Sequence, residues 1–152
     1  MQNSLNITYE EYLLKFRNMI KSLGLNNSIQ KEYVLKLLFN SESHMSADDI
    51  QQSIKNDENV NIGIATVYRV INLFEEMGIV SAIAIQGIDS KVYELNLKAH
   101  HDHLICIKCN TIIEFVDKEI ETLQEQVAKS RGFQLQSHNM MMYGICKECK
   151  NE

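Results

Sequence analysis

Apolar residues recur at helical spacing through the first half of the chain and at strand spacing through much of the second. Tyr12, Phe16, Met19, Ile20 and Leu23 recur at helical spacing, the period that lines one face of a helix. Thr8-Tyr9-Glu10-Glu11 ahead of them has the form of a capping box, and Gly24 behind them is a stop. The spacing therefore predicts a first helix between these signals. A second helix is predicted from about Ser28, carrying Val34, Leu35, Leu37 and Leu38. Ser46-Ala47-Asp48-Asp49 predicts the capped start of a short third helix through Ile50 and Ile54. After the polar connector Asn56–Asn61, a fourth helix is predicted from about Gly63 to Met77, closed by Gly78. Val67, Val70, Ile71 and Phe74 share its apolar face, whereas Thr66, Tyr68, Arg69 and Asn72 fall largely elsewhere.

Two β-rich runs follow, Ile79–Ile85 and Lys91–Leu95, with Gln86-Gly87-Ile88-Asp89-Ser90 between them as a hairpin signal. Short helix, connector, second helix and hairpin is the order of a winged helix-turn-helix. In that motif the second helix enters the major groove and the hairpin lies near the backbone. The same order also fits a small helical domain with a β appendage. Residues 103–149 follow a different pattern: strand, cysteine pair, strand, a helix from about Asp117 to Arg131 ended by Gly132, a long strand, and a second cysteine pair. Leu97-Lys98-Ala99 is the predicted hinge. The expected fold class is α+β, in two domains over 1–95 and 101–152 joined by a hinge over 96–100.

Composition narrows the functional classes. At 45% hydrophobic and 23% charged residues the chain is ordinary globular material. A net charge of −5, more acidic before the hinge than after it, argues against unregulated electrostatic binding of nucleic acid. It leaves room for a reader whose few cations are grouped and whose carboxylates a metal neutralises. The polar, acidic N-terminus has no basic region followed by an apolar run, so no secretory signal is expected, and the most apolar stretch, Gly78 to Ile85, is too short to span a bilayer. A soluble, cytoplasmic protein with no membrane partner is expected. In that reducing compartment four cysteines are expected to bind metal and not to form disulfides.

Cys106-Ile107-Lys108-Cys109 and Cys146-Lys147-Glu148-Cys149 are two C-x-x-C pairs that together use every cysteine of the chain. A two-residue loop lets both thiolates of a pair face one ion, and two pairs complete a tetrahedral zinc site. A closed set of four leaves no position for a substrate, so the zinc is expected to be structural. The competing reading is a redox dithiol, which usually comes singly in a βαβ setting that this sequence lacks. Four of the five histidines lie after residue 99, three of them in His100-His101-Asp102-His103. Strand alternation would send His101 and His103 to one face and His100 and Asp102 to the other, permitting two metal sites back to back. Glu94, Glu114, Glu121 and His138 could complete them; a solvated polar strand is the bland alternative. No H-E-x-x-H, nucleophile elbow or Gly-rich phosphate loop occurs. A zinc metallohydrolase would need a His/Glu site with an open position and has nothing else here to support it.

These residues resemble the ferric uptake regulator family over nearly the whole chain. The matching segments are Ile64-Ala65-Thr66-Val67-Tyr68-Arg69-Val70, Lys91-Val92-Tyr93-Glu94, the run from His100 to Cys109, Ile112-Ile113-Glu114-Phe115 and the closing Cys146-x-x-Cys149. The resemblance implies a metal-dependent transcriptional repressor, not an enzyme, that binds double-stranded operator DNA as a homodimer when iron(II) is abundant. It implies that 1–95 is a winged-helix DNA-binding domain and 101–152 an α/β dimerisation and metal-binding domain, with a tetramer or stacked dimers on DNA left open. It implies a regulatory metal on His44, Glu94, His101, His103 and Glu114, drawn from both halves. An auxiliary metal is implied on His100, Asp102, Glu121 and His138, within the second half. Iron(II) or manganese(II) suits such imidazole–carboxylate sets, and zinc would replace them in purified protein by the Irving–Williams order. Thr66, Tyr68 and Arg69 match the family's DNA-reading helix, and Lys15, Arg17 and Lys21 could serve the backbone or an adjacent minor groove. The start of the second helix departs from the family, with Asn26 and Lys31 where Lys and Arg are usual. Within the family, Asp in place of Glu94 or Glu114 would point to peroxide sensing, and a thiolate in the sensing site to zinc sensing.

Overall fold

A computed structural model describes residues 7–85, 90–97 and 99–150. The chain divides into two compact units, Met1–Lys98 and Ala99–Glu152. Lys98 of the expected hinge and Gln86 to Asp89 of the expected hairpin turn lie outside the described residues.

The first unit opens with α1 (Tyr9–Ser22), capped by Thr8, whose hydroxyl accepts from the Glu11 N–H while the Glu11 carboxylate accepts from the Thr8 N–H. Such a box satisfies two of the amides that a helix start leaves without partners and stabilises by about 1 kcal/mol. Ser28 caps α2 (Ile29–Asn40), and Ser46 with Asp49 forms a second capping box for α3 (Ala47–Asp57). Gly63 leads into α4 (Ile64–Glu76), and Gly78 follows it at φ +68°, a left-handed turn that glycine adopts without steric cost. Phe16 and Ile20 of α1, Val34, Leu35 and Leu38 of α2, Ile50 and Ile54 of α3, and Val67, Ile71 and Phe74 of α4 form one core. Phe16 meets Phe74 edge to face with centroids 5.5 Å apart. Each such buried side chain is worth about 1.5–3 kcal/mol over its exposed state.

A three-stranded antiparallel sheet closes this unit in the order β1-β3-β2, with β1 (Met45–Ser46), β2 (Val80–Ala84) and β3 (Lys91–Leu95). β2 and β3 form the two expected strands. The two-residue β1 was not expected, since Met45 and Ser46 are too few to show a period. Its pairing sets Met45 opposite Tyr93 and so carries His44 toward Glu94.

The second unit is a sheet of order β5-β4-β6 with one long helix. β4 (Asp102–Cys106) pairs antiparallel with β5 (Ile112–Phe115) and parallel with β6 (Met141–Gly144). α5 (Lys118–Ser130) starts on Asp117, whose carboxylate accepts from the Glu119 and Ile120 amides, and a turn α6 (Lys147–Lys150) follows β6. The long strand expected after Gly132 is four residues: 141–144 pair with β4, and among the described residues 133–140 have no ladder partner. The helical turn within the second cysteine pair was likewise not expected. The apolar core of this unit is thin. Among the described residues α5 buries none of its side chains, while Leu123, Val127, Phe133 and Tyr143 are exposed.

Candidate metal centres and nucleic-acid face

Cys106 is the last residue of β4, and Gly144 of the parallel β6 lies opposite it. The second cysteine pair, just beyond Gly144, therefore arrives where the first pair turns. Cys109 Sγ and Cys146 Sγ are 3.7 Å apart. A tetrahedron of 2.3 Å zinc–sulfur bonds has edges of about 3.8 Å. All four sulfurs lie within 4.8 Å of one another, and none is in a disulfide. The Cys146 N–H donates to Cys106 Sγ at 3.4 Å, Thr111 Oγ1 is 3.2 Å from Cys109 Sγ, and Lys108 Nζ donates to the Cys149 carbonyl at 2.9 Å. The Cys146 backbone N–H, with those of Cys109 and Lys108, draws the Cys106 thiol down to about 6. Hydrogen bonds from Cys109 and Cys146, then burial, push the Cys149 thiol up to about 12. One thiol ionises readily and its neighbour resists, so only a cation among them lets all four act as thiolates. The donor set and spacing fit zinc.

A second cluster lies wholly within the second unit. His100 Nε2 is 3.5 Å from Asp102 Oδ1 and 3.3 Å from Glu121 Oε1, and His138 Nε2 is 3.2 Å from Glu121 Oε2. Glu121 sits in the first turn of α5, where the Asp117 cap fixes the helix start. Asp102 is fully buried; its Oδ1 accepts the Met140 N–H at 3.2 Å, and its Oδ2 has no hydrogen-bond partner among the described residues. A buried carboxylate oxygen left in that state is costly, and a divalent cation there would satisfy it. The four ligand atoms lie within 4.8 Å of one another. This donor set fits a divalent metal.

The remaining candidate ligands form two partial sets, one in each unit. In the first, His44 Nε2 is 3.4 Å from Glu94 Oε1 across the β1–β3 end of the sheet. In the second, His101 Nε2 is 3.9 Å from Glu114 Oε2, the His101 and His103 rings are 4.8 Å apart, and His103 is paired with Glu114 in the β4–β5 register. His101 and His103 thus share one face, as His100 and Asp102 share the other.

On the outer face of α4, Tyr68 and Arg69 are exposed and Thr66 is half-buried, while Val67 and Val70 turn inward. Ser28, Gln30 and Lys31 of the α2 start and Thr66, Arg69 and Asn72 of α4 line an open groove. Lys15 and Lys21 are exposed on α1. Arg17 is turned to α2, where its Nε and Nη2 donate to the two Glu32 oxygens at 2.8 and 2.7 Å. Reading the sequence for single residues overlooked Glu32, Thr111 and Lys108. For Thr111 a signal existed, a hydroxyl two positions after a candidate thiolate. For Glu32 none did, since its partner is far away in sequence.

The sequence model of the Ferric uptake regulator family matches residues 22–143. A Ferric uptake regulation protein of Campylobacter jejuni is 42% identical over 148 residues, covering 97% of this chain and 94% of that protein. The solved ferric uptake regulator of Helicobacter pylori, described as having three functional metal-binding sites, superposes with a TM-score of 0.89. It is 39% identical, over 99% of this chain and 97% of that one. The ferric uptake regulator of Francisella tularensis, solved with iron, is 39% identical with a TM-score of 0.74, over 84% of this chain and 96% of that one.

Proposed function

The chain belongs to the ferric uptake regulator family of metal-responsive transcriptional regulators, and we propose that within it this protein is an iron(II)-responsive repressor that binds operator DNA as a cytoplasmic homodimer. The observation that carries the iron-sensing reading is that the four cysteines gather in one cluster. No thiolate remains for a zinc-sensing site, and both carboxylates of the proposed sensing set, Glu94 and Glu114, are glutamates. The proposal assigns Cys106, Cys109, Cys146 and Cys149 to structural zinc. It assigns His100, Asp102, Glu121 and His138 to an auxiliary metal, and His44, Glu94, His101, His103 and Glu114 to the regulatory iron(II) or manganese(II).

When bound, the regulatory cation supplies two positive charges and a coordination shell that imidazoles and carboxylates can share. Glu94 and Glu114 balance that charge. Without a cation the same two carboxylates would repel on approach, so the ligands of the two units prefer different arrangements with and without metal. An effector acts only through such a difference in affinity. In this account 1–95 reads DNA, 96–100 flexes and 101–152 dimerises. Thr66, Tyr68 and Arg69 face base edges and phosphates, with Lys15 on the backbone. The exposed apolar side chains of α5 and the thin core of the second unit support the homodimer, because a unit of this size needs further burial to be stable. No catalytic step is part of the proposal. Among the described residues no helix is long and apolar enough to cross a membrane.

Fluorescence anisotropy on an AT-rich palindromic duplex tests the reading. Protein retaining only its thiolate-held zinc is compared with the same protein given manganese(II) or anaerobic iron(II). Binding that appears or tightens at least tenfold with metal is expected. Binding confined to the metal-free protein would overturn the corepressor mechanism.

A further inference from the structure

The stretch Leu25 to Glu32, which holds Asn26 and Lys31, forms a hydrogen-bonded corner that engages Lys31 and, from α1, Arg17. Glu32 sits in the first turn of α2 and is mostly buried, with 14% of its side chain exposed. Its two oxygens receive the Arg17 guanidinium as a fork, and Oε1 also accepts from Asn27 Nδ2 at 2.5 Å. Its backbone carbonyl accepts from the Tyr9 hydroxyl at 3.3 Å. One residue of α2 thus holds both ends of the contact with α1. Next to it, Lys31 Nζ donates to the Asn26 carbonyl. Lys31 also lines the groove shared with Thr66 and Arg69 of α4, so the corner borders the proposed DNA-reading face.

We propose that Glu32 is a positioning residue that sets α1 against α2 and withholds Arg17 from DNA phosphate, lowering the sequence-independent part of DNA binding. This rests on the DNA-binding reading above. A bidentate carboxylate is the same kind of partner that a phosphate offers to arginine, so the two compete for one guanidinium. Where Glu32 wins, Arg17 releases no counterions and adds nothing to the salt dependence. Among the described residues Lys15, Lys21 and Arg69 have no ion-pair partner, and they remain available for that role. Discrimination between operator and other DNA then leans more on α4.

The test is the salt dependence of binding to a duplex without an operator, in metal-loaded protein, for wild type, Glu32→Gln, Arg17→Gln and the double variant. Glu32→Gln keeps the shape and removes the charge. It is expected to steepen the slope of log K against log salt by about 0.9 per bound protomer, a gain of roughly eightfold at 0.1 M salt relative to 1 M. Arg17→Gln is expected to leave the slope unchanged, and the double variant to match it. A merely structural tie would shift the melting temperature of each variant and leave all four slopes alike, which would overturn the proposal. So would a slope that falls in Arg17→Gln and stays put in Glu32→Gln, since Arg17 would then already hold a phosphate. If wild type binds no duplex, operator or other, the functional reading fails and this inference fails with it. Binding with an unmoved slope defeats this inference alone.

Discussion

His100, His101, Asp102 and His103 are consecutive, yet they divide between two clusters because side chains alternate along extended backbone. That division follows from the residue order, and so does the convergence of two C-x-x-C pairs on one tetrahedron. The companions from elsewhere do not follow from it. Glu121 and His138 meet His100 because α5 starts where Asp117 caps it and because the chain leading into β6 brings His138 to that helix start. No local pattern encodes those distances. The thiol set gives the clearest prediction at this scale. Cys149 has the thiol most resistant to ionisation, and its carbonyl anchors Lys108. Cys149→Ser is expected to lose zinc and leave the second unit unfolded, because a structural zinc of this kind contributes on the order of 10 kcal/mol of folding free energy. Zinc analysis beside near-ultraviolet and far-ultraviolet circular dichroism checks this. A folded, zinc-free variant would count against the structural role.

Most elements were legible because each is announced by local chemistry. Thr8 with Glu11, Ser28, and Ser46 with Asp49 cap α1, α2 and α3 where the sequence places them, and Gly24, Gly78 and Gly132 follow helices at positive φ. The misses are those in which pairing decides. β1 exists because β3 offers an edge, and the run after Gly132 is a strand only where β4 lies beside it. The α1–α2 tie belongs to this class and gives a pH prediction. The Arg17 guanidinium beside Glu32 holds that carboxyl below its ordinary value of 4.5, against the opposing effect of burial. A carboxyl depressed in the folded state stabilises above its ordinary value, and that stability is lost as pH falls through the folded one. Wild type is therefore expected to be more stable than Glu32→Gln at pH 6. The difference should shrink toward zero between about pH 5 and pH 3 in thermal melts. A difference that grows on acidification would have the wrong sign for this pairing.

At the scale of the whole molecule, the two units have different sources of stability. The first has a continuous apolar core built from four helices and a sheet. The second has few buried apolar side chains, four clustered cysteines, and an exposed helix face. In the proposed function the second unit leans on metal and on a second copy, a reading that this contrast supports and that neither net charge nor composition displayed. Control of DNA by metal is the central claim, and thermodynamic reciprocity tests it most directly. If the regulatory metal tightens operator binding by some factor, operator must tighten metal binding by the same factor. Manganese(II) titrations with and without operator duplex measure this in wild type, Glu94→Gln and Glu121→Gln. The account predicts at least a tenfold, matched coupling in wild type, its loss in Glu94→Gln, and its retention in Glu121→Gln. Manganese affinity that is indifferent to operator in wild type would contradict it.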